Sequence, residues 1–256
     1  MSAFYERDGD AFVPSELTRG PWDPGAQHAG PPSALLGRAV EAEGTLIGRM
    51  TIEVLRPVPL APLAVTSGVI RPGRNVELLE AALYEAGGGD RPPIARATAW
   101  RLRTDDGVAA LDSGPPPPGP EAGGERPFFP TGQDVGYHTA MDYRFVDGGF
   151  IEPGPARVWL RMRQPLVAGE PVSPLARVLV AADSGNGVSA ALDYRRHLFI
   201  NTELSVHLVR EPAGEWVLLD AITYVGPHGV GLSESVLYDE TGRLGSAAQT
   251  LLVRRR

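Results

Sequence analysis

Apolar and polar residues alternate with a period near two along most of this chain. The alternation predicts strands near residues 49–56, 63–71, 74–85 and 93–103 in the first half. In the second half it predicts them near 137–146, 156–163, 201–210, 216–225, 229–239 and 243–253. Two stretches instead follow helical spacing. Leu35, Leu36, Ala39 and Val40 form one apolar face after Gly30-Pro31-Pro32, and proline suits a helix's first turn. Leu175 to Ala182 form the second, with Ser173 as N-cap, Pro174 at the first helical position and Ser184-Gly185-Asn186-Gly187 as its stop.

The two halves carry one pattern twice, about 154 residues apart, which is the size of a domain duplication and not of a short repeat unit. Arg56 closes one run of strand residues and Arg210 closes another. Val76, Leu78, Glu80, Leu83 and Tyr84 recur without a gap at Val230, Leu232, Glu234, Leu237 and Tyr238. Between the copies, Gly114 to Pro127 is almost entirely Pro, Gly and Glu, too poor in apolar side chains to pack a core, and reads as a linker. The expected organisation is therefore a first unit over 1–113, a linker over 114–127 and a second unit over 128–256. Each unit has a central apolar helix and several antiparallel strands. This is the α+β hotdog arrangement, and two copies make a double hotdog whose sheets join into one long curved sheet around the helices.

Composition narrows the chemistry. The chain is 43% apolar and 21% charged, as ordinary globular proteins are. It has no cysteine, which excludes disulfides, a cysteine nucleophile and a cysteine-based metal site. Every basic residue other than histidine is arginine, so there is no P-loop lysine and no lysine Schiff base. A net charge of −7 disfavours nucleic-acid binding. No apolar run is long enough to span a membrane, and the first residues lack a signal-peptide core, so the expected compartment is the cytoplasm. His28, His138, His197, His207 and His228 are scattered without metal-ligand spacing, so no metal and no other cofactor is expected. Self-association is left open.

The sequence resembles the acyl-CoA thioesterase II family in its actinobacterial, thioesterase-like form. The resemblance is carried by Gln27-His28-Ala29-Gly30-Pro31-Pro32, Leu55-Arg56-Pro57-Val58-Pro59-Leu60, Ala181-Ala182-Asp183-Ser184, Val206-His207-Leu208-Val209-Arg210 and Ala247-Ala248-Gln249, in that order. It implies hydrolysis of fatty acyl-CoA to free acid and CoA. It also implies a catalytic Asp after the second helix, a hydroxyl residue on the next strand and a Gln on the last one, here Asp183, Asn201 and Gln249. The hydroxyl position departs from the family. It holds Asn201, with Thr202 beside it, and neighbouring strand residues face opposite ways, so one of the two serves.

Thioester hydrolysis needs a positioned water, a base and donors for the developing oxyanion. Asp183 would be the base, Gln249 and Asn201 or Thr202 would hold the water, and Gly30 at the first helix would supply an oxyanion donor. Two arguments set these residues apart from ordinary polar positions. An Asp in a helix's last turn meets the negative end of the helix dipole, where structure alone favours a cation. In the repeat alignment Ala99 stands opposite Gln249, so the amide is private to one half. His28 is a substrate contact or a loop-bonded histidine. Arg195 and Arg196 would bind a CoA phosphate or lie in a solvated loop.

Competing chemistries fit less well. Gly231-Leu232-Ser233-Glu234-Ser235 lacks the last glycine of a serine-hydrolase elbow. Pro127-Phe128-Phe129-Pro130-Thr131-Gly132 is only superficially similar to a hotdog dehydratase loop, because no His follows the Gly. The nearest His after Asp183, His197, is too far for a hydratase pair. Gly185-Asn186-Gly187-Val188-Ser189-Ala190 fits a dinucleotide fingerprint, but Ser173-Pro174 starts a helix and the chain lacks βαβ alternation. A non-catalytic acyl-binding protein on the same fold remains the main alternative, since Asn201 stands where a hydroxyl is expected.

Overall fold

A computed structural model describes residues 2–88, 91–111 and 114–256. The strands are β1 (Tyr5–Asp8), β2 (Ala11–Pro14), β3 (Thr45–Val54), β4 (Leu63–Arg71), β5 (Val76–Glu85), β6 (Ala95–Arg103), β7 (Met141–Gly149), β8 (Glu152–Met162), β9 (His197–Asn201), β10 (Glu203–Leu208), β11 (Trp216–Val225), β12 (Val230–Asp239) and β13 (Gly242–Arg255). The helices are α1 (Gly30–Arg38), α2 (Tyr137–Ala140), α3 (Pro174–Ala182) and α4 (Gly185–Val188). All 13 strands form one open sheet, in the order β1-β2-β4-β5-β6-β3-β10-β13-β12-β11-β8-β7, with β9 paired to β13 off that path. Every named strand pair is antiparallel. Among the described residues no helix is long and apolar enough to cross a membrane.

The repeat is visible in the register. The sixth strand along the path, β3, pairs with β10 from the other half, and Thr51 faces Ser205 with their hydroxyls 3.1 Å apart. These two residues are 154 positions apart in sequence, the repeat distance itself. Met50 faces Val206 and Ile52 faces Leu204, so the two copies meet about a local two-fold through the Thr51–Ser205 pair. One apolar core runs under the whole sheet. It takes Leu35 and Leu36 from α1, Val178 and Leu179 from α3, and inward residues such as Met50, Ile52, Leu83, Leu204, Leu219 and Leu237.

The two long helices are short in absolute terms, nine residues each, and pack against one another. Ser173 caps α3 as its sequence predicts, its Oγ accepting the Ala176 N–H at 3.1 Å. Glycine brings the helices close. A Cβ on Gly30 would lie 2.6 Å from the Val180 carbonyl oxygen, and one on Gly37 would strike Leu179. The start of α1 therefore sits against the end of α3.

Three local expectations need correction. Residues 137–140 form the helical turn α2 and not the start of a strand, with the Thr139 hydroxyl accepting the Gly136 N–H at 3.2 Å. The Ser184–Gly187 segment ends α3 at Ala182 as expected, but it is not irregular, since Gly185–Val188 forms the separate short helix α4. Residues 201–210 are not one strand, because β9 ends at Asn201 and β10 begins at Glu203. The Pro/Gly-rich segment is held on the second half. Prolines lack N–H donors but keep their carbonyls, and Pro118 accepts the Trp159 indole N–H at 2.9 Å. Gly124 exchanges hydrogen bonds with Phe145. The expected boundary at residue 113 lies outside the described residues. The β1–β2 hairpin was not anticipated. Its Tyr5 N–H donates to Leu166 O at 2.9 Å, tying the first residues to the second half.

One ion pair locks the end of β12. Arg210 grips the buried Asp239 with two bonds of 2.6 Å, and the N–H groups of Ala213 and Thr241 each donate to it at 2.8 Å. Burial opposes the Asp239 charge, but Arg210 and these N–H donors outweigh it and hold its pKa at about 2, below the ordinary 3.8. A depressed carboxylate stabilises the fold above its unfolded pKa and loses that contribution as pH falls towards its folded one. Asp239→Asn should thus reduce stability near neutral pH by roughly 2 kcal/mol. Urea unfolding should show the gap to wild type narrowing below about pH 4, and a gap constant down to about pH 2 would contradict the assignment.

Candidate active site

Asp183 is the C-cap of α3, and its carboxylate is 4% exposed. A buried carboxylate at the negative end of a helix needs donors, and three side chains surround it. Asn201, at the last position of β9, donates from Nδ2 to Oδ1 at 2.8 Å. Gln249, in the middle of β13, donates from Nε2 to the same oxygen at 3.3 Å and to the Asp183 carbonyl at 3.2 Å. His28, just before α1, places Nδ1 3.0 Å from Oδ2.

Gln249 is fixed at both ends. Its Oε1 accepts the Asn186 N–H of α4 at 3.1 Å, and its side chain is 1% exposed. Gly185 makes room for it, since a Cβ there would stand 3.1 Å from Oε1. The continuation of the chain into α4 is what delivers that N–H. The local two-fold confirms the asymmetry inferred from the repeat. Gln249 faces Ser233 across the β12–β13 pair, and Ala99 faces Leu79 at the matching place in β5–β6.

Thr202 turns away from Asp183. Its hydroxyl lies 3.3 Å from the Thr250 carbonyl, so of the adjacent pair it is Asn201 that reaches the carboxylate. Gly30 directs its N–H at His28 Nδ1, 3.2 Å away. That nitrogen cannot accept from Gly30 and donate to Asp183 together, so a proton on Nδ1 commits it to Asp183 and releases the Gly30 N–H. Ala29, on the cavity wall, has no protein acceptor for its N–H among the described residues. The His28 ring stacks on Tyr137 at 3.6 Å between centroids. Tyr137 donates to the Val180 carbonyl at 2.7 Å, and burial, reinforced by the Asp183 charge, pushes its phenol well above its ordinary pKa, so it stays neutral.

Asp183, Asn201, Thr202 and His28 all line one cavity of about 450 Å³. Its other walls are mainly apolar, including Trp22, Val54, Val58, Leu198 and Ile200, with Arg56 as its cation. Arg195 and Arg196 are elsewhere. Arg195 borders a separate cavity beside Tyr194, and Arg196 is largely exposed near Asp193. Sequence reasoning missed Arg56, Trp22 and the contact of His28 with Asp183. For Arg56 a signal existed, since it ends a strand in one copy of the repeat as Arg210 does in the other.

The comparisons agree on where this chain belongs. A family model for an acyl-CoA thioesterase C-terminal domain matches residues 111–253, and one for the N-terminal domain matches residues 18–102. No protein of curated function matches. Solved structures share the fold. A candidate thioesterase from Novosphingobium aromaticivorans is 23% identical with a TM-score of 0.73, covering 98% of this chain and 99% of that one. A candidate thioesterase II from Thermobifida fusca is 17% identical with a TM-score of 0.76, over 98% and 95%. A conserved protein of unknown function with a hot dog fold, from Alicyclobacillus acidocaldarius, is 16% identical with a TM-score of 0.69, over 98% and 94%.

The site depends on the close approach of α1 to α3. Gly30→Ala would press a methyl against the Val180 backbone, which has no rotamer by which to yield. The variant should lose about 1–3 kcal/mol of stability, visible in thermal melts. It should also move His28 away from Asp183, and a variant as stable as wild type would show that the packing there is loose.

Proposed function

The chain belongs to the acyl-CoA thioesterase family, and from that premise we propose that it hydrolyses acyl-CoA thioesters to free acid and CoA, with Asp183 as the base. The observation that carries this reading is the convergence of Asn201, Gln249 and His28 on one buried carboxylate at the wall of an apolar cavity. Asn201 and Gln249 occupy Oδ1, and Oδ2, which His28 Nδ1 approaches at 3.0 Å, keeps a lone pair that would take the water's proton.

In this mechanism the water oxygen attacks the thioester carbonyl carbon while its proton passes to Asp183. The charge that develops on the carbonyl oxygen is met by backbone N–H groups at the start of α1. Ala29 offers a free one, and Gly30 a second once His28 Nδ1 donates to Asp183. Collapse of the intermediate breaks the C–S bond, and the proton on Asp183 goes to the departing thiolate. Arg56 is the cation nearest this chemistry and would steer the CoA arm. Arg195 and Arg196, away from the cavity, are left without that role. We also propose a first unit over 1–113, a connecting segment over 114–127 and a second unit over 128–256, with the machinery drawn from both units.

A second assignment is favoured by the 3.0 Å contact between His28 and Asp183. With a proton on Nδ1, His28 would present Nε2 as the base and Asp183 would orient it. Release of thiol from acyl-CoA separates the two. Asp183→Asn keeps size and shape and should lower kcat by about 10²-fold or more under either assignment. His28→Ala should match that loss only if His28 is the base. Gln249→Ala should lose less, since the amide positions the carboxylate and carries no proton. Full activity in folded Asp183→Asn would sink both versions. Tight acyl-CoA binding without turnover in the wild type would favour a non-catalytic acyl-binding protein.

A further inference from the structure

We propose that Phe128 and Phe129 close the far end of the acyl pocket and confine the acyl group to about four carbons or fewer. The proposal rests on the reading of Asp183 and its neighbours as a thioester-cleaving site. It concerns the Pro127-Phe128-Phe129-Pro130 segment, which follows the Pro/Gly-rich stretch and which the hydrolytic machinery does not use.

The segment is a wedge of aromatic rings driven towards the site. Phe129 is buried and stacks on Trp22 at 5.1 Å, 14° from parallel. Phe128 packs on Phe129 at 4.4 Å, on Phe150 at 4.3 Å and on His138 at 5.1 Å. Between these rings and the Asp183 cluster is a void of about 30 Å³, bordered by Phe128, Phe129, Phe150, Tyr137, His28 and Asn186. His28, Asn186 and Trp22 also border the cavity of about 450 Å³ that holds Asp183. Two spaces of unequal size thus share His28, Asn186 and Trp22 as walls, and on this proposal they are the two branches of one substrate site.

A thioester carbonyl at Asp183 must send its two substituents different ways. The CoA arm is long and polar and needs a continuous route to solvent. The larger cavity, although its walls are mainly apolar, borders the exposed Trp22 and Ile200 and carries Arg56, so the polar arm is assigned to it. The acyl group is apolar and is left with the aromatic branch. That branch holds only one or two water-sized groups beyond the carbonyl, about the space of a short chain. Longer chains would have to displace the phenyl rings, and a packed aromatic cluster resists the added volume.

The test is the dependence of kcat/KM on acyl length. Wild type, Phe128→Ala and Phe129→Leu would be assayed by thiol release with acyl-CoA of two, four, eight and twelve carbons. In the wild type, kcat/KM should fall about tenfold or more between four and twelve carbons. Phe128 is half-buried on a loop, so its alanine variant should fold. It should raise the twelve-carbon rate relative to the four-carbon rate by about tenfold. Phe129→Leu should shift the profile the same way by less, and it covers the case in which Phe128→Ala is unstable in a thermal melt. A wild type that takes twelve carbons as well as four would overturn the proposal and place the chain along the wide branch. Folded variants with an unchanged profile would do the same. If no thioester turns over, the hydrolase reading fails separately. The same length series, read as calorimetric binding of S-alkyl-CoA thioethers, then decides. A short-chain preference relaxed by Phe128→Ala supports the wedge, and equal affinity at all lengths overturns it.

Discussion

Backbone hydrogen bonds between β3 and β10 join two half-sheets, each of which would otherwise end in an exposed edge. Their pairing about Thr51 and Ser205 has consequences far from the seam. It makes one core from two, because the inward residues of both halves then face the same two helices. It also sets α1 and α3 side by side, the start of one against the end of the other. Small residues allow that approach, Gly30 against the Val180 backbone and Gly37 against the Leu179 side chain. Asp183 and His28 come from different halves, and they meet only because of this arrangement.

A two-fold arrangement of two helices creates two such junctions, and the Asp183 cluster stands at one. At the second, α1 ends at Ala39 where α3 ends at Asp183. Leu79 and Ala99 stand where Ser233 and Gln249 stand, and Ile47 lies the repeat distance of 154 residues before Asn201. The mouth there has shrunk to about 70 Å³, between Ile47, Leu175 and Leu208 on one side and Glu41 and Glu211 on the other. Burial raises the Glu41 carboxyl above its ordinary range, and the Glu211 charge adds to the effect. On the proposed function, two carboxylates in a narrow mouth would repel the anionic groups of CoA, where the Asp183 cavity has Arg56. The duplication therefore fixes the shape of both junctions, and individual side chains decide which can act.

Much of the architecture was legible because it repeats. Alternation gave the strands, Ser173-Pro174 gave the start of α3, and the matched run from Val76 to Tyr84 and from Val230 to Tyr238 gave the doubling. The comparison of Ala99 with Gln249 held because both lie in strands of matching register. What sequence could not give were contacts that depend on three-dimensional approach between distant segments. Nothing near His28 announces Asp183, 155 positions away in the chain. The break at Thr202 was hidden because the residues on either side both read as strand. It is that break which lets Asn201 finish β9 facing the carboxylate, while the Thr202 hydroxyl goes to the Thr250 carbonyl. The Arg195–Arg196 pair, read as a phosphate contact or a solvated loop, is a case where sequence left both options open. Charge alone suggested a phosphate site, but the loop that carries it faces a different cavity.

The environment of Asp183 also bears on why an amide can stand where a hydroxyl is expected. A carboxylate at the negative end of α3, nearly sealed from water, would be costly as a bare charge. Its Oδ1 is satisfied by two amide N–H donors, at 2.8 Å from Asn201 and 3.3 Å from Gln249. A hydroxyl at position 201 would supply one donor to the same oxygen, so Asn201 supplies the same kind of hydrogen bond to Oδ1. The difference lies in what each side chain offers next. A hydroxyl that donates keeps lone pairs on the same atom, close to the carboxylate. An amide that donates through Nδ2 presents its acceptor, Oδ1, on the far side of a rigid plane. Any water held jointly by Asp183 and Asn201 must then sit farther along the cavity wall than one held by a hydroxyl. On the proposed mechanism, the identity of residue 201 thus bears on where the nucleophile would stand relative to the carbonyl it attacks.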